Sequence, residues 1–415
     1  MNLRWFTSKI VRHATGMRKH VRNLLNSQRD ILPPPAIEGV SAALAELDRV
    51  IQAGTKKEEL LQQMEKLEAA ANKWLKPYPH HTWRENVEVF LVALAVAMAI
   101  RTFFVQPFKI PTGSMQPTLF GVTSVPDFTR VRQQPDRAQA QAEFNRQAAA
   151  RDELVIPTGL KRLREWFEGI SYIDLKAKVD GTLERVKPPV GIRIINFWQT
   201  LYIGGVAHTI LFPPDYGQPD LSARAGLQEG RPYRKGETVV RLKVQAGDHL
   251  FVDRLTYNFR KPERGEIAVF ATAGTRIPQQ DQFYIKRLVV LGCEQVQIGD
   301  DRHVVINRTN RLDASTPHFE NVYSFDPKNP PMESEYSGHV NDTVARQLGK
   351  SGIAPLFPDQ EAIYTLPSDT YMVMGDNTMN SFDSRGWGEF PATNIIGKSF
   401  FVYWPLTSRF GWGNR

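Results

Sequence analysis

The stretch DQFYIKRLVVLG, residues 281–292, combines strand-like alternation with an apolar composition. Successive side chains of a β-strand point to opposite faces, so Lys286 shares one face with Tyr284 and Leu288. Both faces of this segment are mostly apolar, which predicts a buried strand. Burial would remove water from the Lys286 amine and lower its pKa, because desolvation disfavours the ammonium form. The alternative is an ordinary lysine that reaches solvent or pairs with an acid.

Similar short runs occur throughout the chain after residue 242, separated by Gly, Pro, Asn and Asp. Regular short strands with turn residues between them are typical of an antiparallel β-sandwich or a barrel-like domain. We therefore predict a mainly β domain formed by residues 107–121 and 242–415. The runs are HLFVDRL (249–255), GEIAVFA (265–271), EQVQI (294–298), HVVIN (303–307), TYMVMGD (370–376) and GKSFFVYW (397–404).

Residues 122–241 differ in character and are predicted to form a mixed α/β insertion. Residues 135–154 have a polar helical pattern, and residues 159–170 have an amphipathic one. Residues 192–214 predict two paired strands around a Gly-Gly turn. The single histidine of this hairpin, His208, is interpreted as a structural residue.

An apolar run, VEVFLVALAVAMAIRTFFVQ, occupies residues 87–106. Its uninterrupted part, 89–100, is shorter than the roughly 20 residues that span a bilayer, but counting through Val105 gives a sufficient length. We predict one transmembrane helix over 87–106, with a buried core helix as the alternative. Lysine and arginine are frequent before this segment. This predicts that residues 1–86 lie in the cytoplasm and that the residues after about 106 lie outside.

Residues 1–86 are predicted to form a basic, helical cytoplasmic region. Residues 1–30 read either as an amphipathic helix at the membrane interface or as a solvated basic tail. Residues 38–76 predict two helices separated by Ala-Gly-Thr, and Thr55 and Glu58 have the spacing of a capping box.

The composition of the 415-residue chain argues against a nucleic-acid-binding protein and against a disulfide-stabilised one. Its net charge of +8 is spread along the chain, and no zinc-finger or RNA-binding signature accompanies it. Positive charge near an apolar segment instead suggests an anionic membrane surface. The single cysteine, Cys293, rules out an intramolecular disulfide, and its apolar neighbours predict that it is buried.

Ser114 lies in IRTFFVQPFKIPTGSMQPTL, residues 100–119, directly after the apolar run. The flanking prolines exclude a helix or a regular strand, and a serine in such a turn is usually only a turn residue. A nucleophilic serine needs a neighbouring base. The downstream histidines have no matching acid motif, so a Ser-His-Asp triad has no support, whereas a desolvated Lys286 could serve as the base.

A third segment, residues 371–399, carries a dense group of polar side chains between two strand-like runs. Such a group is ordinarily a hydrogen-bonded loop, but it could also orient a neutral lysine. Its members are Asp376, Asn377, Asn380, Ser381, Asp383, Ser384 and Arg385.

Together these segments resemble those of the bacterial type I signal peptidases, which are membrane-anchored serine proteases with a Ser-Lys dyad. Residues 247–270 are similar to a further block of that family. The resemblance places Ser114 at the nucleophile and Lys286 at the general base. It places Ser381 at the hydroxyl that contacts the lysine, and Asp383 and Arg385 at a structural ion pair.

The resemblance also implies the rest of the site. The oxyanion would be held by the Ser114 backbone N–H and the Thr112 hydroxyl. No metal and no cofactor are implied. Shallow pockets for small side chains, typically alanine, would be formed by Phe108, Ile110, Pro111, Tyr284 and Ile285.

The function that the resemblance implies is removal of signal peptides from exported preproteins at the outer face of the bacterial cytoplasmic membrane. The expected partners are preproteins that carry a signal peptide, membrane lipid and a nearby secretion machinery, but no nucleic acid. Two alternatives are a non-catalytic membrane-tethered scaffold of the same fold and a self-cleaving repressor. The repressor would need a helix-turn-helix reader, which residues 1–86 do not resemble.

The chain departs from the family pattern in three places. Thr378 and Met379 stand where the family usually has Arg-Asp. A glycine-proline turn after the base is replaced by VLGCEQV, residues 290–296, which leaves the shape of that turn open. Residues 122–241 are much longer than the corresponding part of the compact members, and no role is predicted for them.

Overall fold

The computed structural model describes residues 8–54, 57–75, 81–134, 136–192, 196–324 and 338–412. The chain divides into two compact units, Met1–Val96 and Ala97–Arg415. The helices are α1 Lys9–Gln28, α2 Pro34–Ala53, α3 Lys57–Trp74, α4 His81–Phe103, α5 Thr129–Arg132, α6 Arg137–Glu153, α7 Gly159–Phe167, α8 Leu221–Ala225, α9 Thr256–Phe259, α10 Asp342–Gln347 and α11 Ser384–Trp387, with 3₁₀ turns at Thr378–Asn380 and Ala392–Asn394.

The first unit contains a bundle formed by α1, α2 and α3. Helix α1 directs Ala14, Val21 and Leu25 into a core that it shares with the other two helices. The prediction of two helices in residues 38–76 is confirmed, whereas the predicted capping box at Thr55 lies outside the described residues. In the described part of residues 1–30, the apolar side of α1 is buried within the bundle rather than free for a membrane interface; residues 1–7 lie outside the described residues.

Helix α4 carries the apolar run, and Glu85–Phe103 is long and apolar enough to cross a membrane. The side chains from Val89 to Phe103 are all exposed, so the alternative of a buried core helix is wrong. The helix ends at Phe103, and a strand begins at Val105. The predicted span of 87–106 therefore extends three residues past the C-terminal end of the helix.

The sheets of the second unit consist of antiparallel strands, which confirms the predicted mainly β fold class. The strands are β1 Val105–Lys109, β2 Thr123–Val125, β3 Ile170–Lys176, β4 Gly181–Val186, β5 Val190–Gly191, β6 Asn196–Ile203, β7 Val206–Leu211, β8 Pro232–Tyr233, β9 Thr238–Gln245, β10 His249–Asp253, β11 Ile267–Ala271, β12 Phe283–Val290, β13 Gln295–Ile298, β14 Val304–Ile306, β15 Asn310–Arg311, β16 Tyr364–Thr365, β17 Thr370–Met374, β18 Phe390–Pro391, β19 Ile395–Trp404 and β20 Gly411–Trp412.

The largest sheet has eight strands in the order β1-β10-β19-β11-β12-β17-β18, and β20 pairs with β19. This order places β12, the strand of Lys286, between β11 and β17 in the interior of the sheet. A smaller sheet, β15-β14-β13-β16, packs on it through an apolar cluster that includes Val290, Val296 and Met372. The strands predicted after residue 242 are therefore confirmed.

The insertion contributes two further sheets, β2-β9-β3 and β5-β6-β4-β8, with β7 paired to β6. The predicted helices appear as α6 and α7, and the predicted hairpin appears as β6 and β7 around Gly204-Gly205. His208 is fully buried, and its Nε2 accepts a hydrogen bond from the Lys178 N–H at 2.8 Å, in keeping with a structural role. Strand β9 crosses the predicted boundary at residue 241.

The expectation that Cys293 is buried is wrong. Its side chain is exposed, and its backbone has a φ of +68° in the turn between β12 and β13. The apolar run ends with β12 at Val290, so the residues that follow leave the core rather than continue through it.

Candidate active site

The segment that carries Ser114 follows β1 and turns back across the main sheet. Ile110, Met115 and Leu119 are buried in one apolar cluster with Leu250 and Val252 of β10. These side chains anchor the segment on both sides of Ser114, which is itself only 7% exposed. The local sequence folds this way because its prolines exclude regular structure while its apolar residues reach the core.

Lys286 extends from β12, where it lies opposite Ala268 of β11. The side chain is 6% exposed, which confirms the prediction that this strand is buried. Its Nζ lies 2.7 Å from Ser114 Oγ, within hydrogen-bonding distance, and 3.2 Å from the Ile285 carbonyl oxygen. The fold therefore brings together two functional groups that are 172 residues apart in the chain.

Burial lowers the pKa of Lys286 to about 8, although the Asp383 and Asp376 carboxylates act in the opposite direction. The desolvation cost of the ammonium thus outweighs the attraction of two buried acids. A lysine with such a pKa has a substantial neutral fraction near neutral pH. Its free amine can accept the Ser114 hydroxyl proton across the 2.7 Å contact.

The loop after β17 fixes the backbone around Ser114. The Asn377 N–H donates to the Ser114 carbonyl at 3.1 Å, and the Asn377 side-chain amide donates to the Gly113 carbonyl at 3.0 Å. Gly375 passes so close that a Cβ at this position would lie 2.5 Å from the Ser114 carbonyl oxygen. Only glycine permits this approach.

Arg287, the next residue of β12, forms a buried ion pair with Asp376. Its Nε and Nη2 lie 2.7 and 2.6 Å from the two carboxylate oxygens, and both side chains are at most 2% exposed. A two-point contact of this kind fixes the orientation of both partners. The pair therefore holds the loop of Asn377 against the strand of Lys286. Sequence reasoning missed it, although an arginine inside an apolar strand was a visible signal.

Asp383 and Arg385, which the resemblance assigned to an ion pair, lie 2.8 Å apart and are fully buried. Arg385 also donates to Thr378 Oγ1 at 2.7 Å and to the Thr378 carbonyl at 2.8 Å. Thr378 thus supplies neutral acceptors where the family usually has an arginine. Met379, at the neighbouring position, packs in an apolar cluster with Val340 and Val344.

The structure places Ser381 near Ser114 but does not show it bonded to Lys286. Its hydroxyl oxygen is buried and has no hydrogen-bond partner of ordinary geometry among the described residues, yet the hydroxyl helps to keep the pKa of Asp383 low. A Cβ on Gly375 would lie 2.2 Å from this oxygen, so Ser381 packs on the same glycine as Ser114. Its base-orienting role stays a prediction.

The residues predicted to line the substrate pocket fall into two groups. Phe108 and Ile285 are partly buried against the apolar cluster of Ile110. The Tyr284 ring lies 5.7 Å from Lys286 Nζ. Pro111 forms the second group, because it is exposed and borders a cavity beside residues 110–119, the nucleophile segment. Thr112, the predicted oxyanion donor, is also exposed and borders this cavity. The predicted oxyanion role of Thr112 stays a prediction.

Comparison with known proteins assigns the chain to a family. The family model described as "Signal peptidase, peptidase S26" matches residues 83–139 and 232–404, more than half of the chain. The chain belongs to the signal peptidase family. The match includes the segments of Ser114, Lys286 and Ser381, and it omits most of the insertion.

Relatives in this family are similar at moderate identity. A signal peptidase I of Leptolyngbya laminosa is 28% identical over 166 residues, which is 39% of this chain and 63% of that protein. A probable thylakoidal processing peptidase 2 of Arabidopsis thaliana is 27% identical over 165 residues, which is 39% of this chain and 35% of that protein. The alignments thus cover less than two thirds of the length of these relatives.

A crystal structure of a signal peptidase I from Enterococcus faecalis also matches, at 24% sequence identity and a TM-score of 0.23. The match covers 34% of this chain and 97% of that one.

Proposed function

We propose that the protein is a membrane-bound serine endopeptidase that removes signal peptides from exported preproteins, with Ser114 as nucleophile and Lys286 as general base. The observation that carries this proposal is the 2.7 Å contact between Lys286 Nζ and Ser114 Oγ inside a buried site. An amine whose pKa is lowered by burial, beside an anchored serine hydroxyl, supplies the adjacent base that serine nucleophiles require.

In the proposed reaction, neutral Lys286 removes the Ser114 proton while Oγ attacks the scissile carbonyl carbon. The resulting oxyanion accepts hydrogen bonds from the Ser114 backbone N–H and the Thr112 hydroxyl. The Lys286 ammonium then returns a proton to the departing amine, which leaves the signal peptide as an ester on Ser114. Lys286 next deprotonates a water that attacks the ester, and the proton finally returns to Ser114 Oγ.

The supporting features of the substrate assignment are the apolar surroundings and the preceding helix. Phe108, Ile110 and Ile285 lie in one apolar cluster at the nucleophile segment, which suits small apolar side chains before the cut. About eight residues separate Val105 from Ser114, at most ~30 Å of extended chain. With α4 across the cytoplasmic membrane and residues 1–86 in the cytoplasm, the site lies near the outer membrane surface, where signal peptides emerge.

Cleavage of a preprotein tests this proposal directly. The purified full chain in detergent should convert a preprotein with an Ala-X-Ala cleavage site into a product whose N-terminus follows the second alanine. Ser114→Ala protein, prepared in parallel, should give no product, which excludes a contaminating protease. N-terminal sequencing of the product identifies the cut, and a product with a different N-terminus, or no product, contradicts the proposal.

The rate of cleavage is expected to rise with pH between about 6 and 8. Lys286 must be neutral to accept a proton, and its pKa is lowered to about 8, so the neutral fraction grows as the pH approaches that value. We expect kcat/KM to increase about 50-fold from pH 6 to pH 8 and then to level off. Steady-state cleavage across this range, with circular dichroism to confirm folding, provides the measurement. A flat or falling profile would argue against a lysine base.

A further inference from the structure

A polar cavity of about 580 Å³ lies where the insertion meets the nucleophile segment. One wall consists of Thr112, Gly113 and Gln116, and the loop of Asn377 and Asn380 continues it. The facing wall comes from α5 and α6 of the insertion and from the segment before α8. A cavity of this volume is in the range that holds a short ligand in a protein.

The cavity shares Pro111 with the predicted substrate pocket but not the other residues of that pocket. Among the described residues, its lining includes neither Phe108 nor Ile110 of the nucleophile segment, nor Tyr284 or Ile285 of β12. An apolar region and a polar cavity therefore border the same short segment. A polypeptide bound at Ser114 must continue on both sides of the scissile bond, so both spaces are available to one substrate.

Arg224 joins the first residues of the insertion to the segment before α8. Its guanidinium is 3% exposed, and it donates to the Tyr216 carbonyl at 2.8 Å and to the Val122 carbonyl at 3.0 Å. It also forms an ion pair with Asp127 at 3.4 Å. Because these partners lie near opposite ends of the insertion, the cavity wall is already in place before a ligand binds, which reduces the entropic cost of binding.

The charges of the lining favour an acidic ligand. Arg224 is paired with Asp127, and Arg146 lies 3.5 Å from Glu143. Arg130 is exposed, and its guanidinium has no ion-pair partner in the part of the chain that the structure describes. In total the cavity has four basic residues and only two acidic ones; the basic residues are Arg130, Arg146, Arg224 and Lys350.

We propose that this cavity binds the first residues of the mature chain, those that follow the scissile bond, and that Arg130 favours an acidic side chain among them. The inference rests on the proposed function and gives the insertion a role in substrate selection. The apolar region takes the signal-peptide side, and the polar cavity takes the mature side, whose first residues need not be apolar. A partly exposed charge pair of this kind contributes up to about 1 kcal/mol, which is about fivefold in rate or affinity.

Two preproteins test this inference when they are identical through the cleavage site and differ only in the first five mature residues. One carries two aspartates there, and the other carries two asparagines. The wild-type protein should cleave the aspartate substrate about three- to fivefold faster in kcat/KM. Arg130→Gln should bring this ratio close to one. Arg132→Gln, an exposed arginine of the same helix outside the cavity lining, should keep the wild-type ratio.

The outcomes separate the inference from the proposed function. Cleavage of both substrates at equal rates, by the wild type and by Arg130→Gln alike, overturns the cavity assignment and leaves the peptidase assignment standing. If neither substrate is cleaved, the peptidase assignment fails. The cavity is then judged by fluorescence anisotropy with Ser114→Ala full-length protein and labelled mature-segment peptides. If the protein binds the aspartate peptide more tightly than the asparagine peptide, and adding Arg130→Gln removes this difference, the cavity assignment is supported. Equal binding of the two peptides, or no binding of either, contradicts it.

Discussion

Replacing Lys286 by methionine is expected to abolish cleavage while the protein stays folded. Methionine has nearly the same length and is apolar, so it fits a buried position without the desolvation cost of an amine. Ser114 then has no base within reach, because the 2.7 Å partner of its hydroxyl is lost. We expect kcat to fall by about 10⁴-fold or more, as when one member of a catalytic unit is removed. Preprotein cleavage in detergent measures the loss.

The matched control is Lys243→Met, a half-buried lysine on β9, the strand that crosses the predicted boundary at residue 241. This variant removes a strand lysine of the same kind without touching Ser114, so its activity should stay within about twofold of the wild type. A Lys286→Met protein that retains a tenth of the wild-type rate would show that another group accepts the proton. Equal thermal unfolding midpoints for both variants would exclude misfolding as the cause of inactivity.

Removing one partner of the Arg287–Asp376 pair is expected to cause the largest loss of stability. Asp376→Ala leaves the Arg287 guanidinium buried at 1% exposure without its carboxylate. Uncompensated burial of a charge costs about 3–5 kcal/mol. The thermal unfolding midpoint should therefore fall by several degrees. Activity should fall as well, because Asn377, the residue after Asp376, holds the backbone of Ser114.

A double variant distinguishes a lost charge partner from a general packing defect. In Arg287→Met with Asp376→Leu, both charges are absent, and most of the lost stability should return because apolar replacements of a buried pair are often tolerated. Arg164→Gln, which breaks an exposed pair with Glu168, should leave the midpoint unchanged. If the double variant is less stable than Asp376→Ala, the explanation by an unpaired buried charge is wrong.

The strands and the burial of Lys286 could be predicted because their signals are local, whereas the pairing of Ser114 with Lys286 came from the resemblance to a family. Alternation along residues 281–292 identifies a strand that is apolar on both faces, and burial of such a strand follows from the absence of a polar face. The desolvated Lys286 follows from the same pattern. The prolines on either side of Ser114 similarly exclude regular structure from the short segment itself.

The partners of these residues could not be predicted in the same way. Asp376 lies 89 residues after Arg287, and their contact depends on how β17 pairs with β12 across the sheet. The role of Thr378, which stands where the family usually has arginine, depends on a tertiary contact: Arg385 donates to its hydroxyl and to its carbonyl. Cys293 was misjudged because apolar neighbours in sequence do not show where a strand leaves the core.

The order of these segments in the chain ties activity to the completion of synthesis. Ser114 is made first, Lys286 follows 172 residues later, and Asn377 comes later still. A nascent chain that ends before residue 286 contains a serine without a base. One that ends before residue 377 lacks the donors that hold the Ser114 backbone. Because early segments emerge first during translation, Ser114 is synthesised before the residues that would act on it under the proposed mechanism. Under the proposed mechanism, the site is therefore complete only after the last of these strands has been synthesised and has paired.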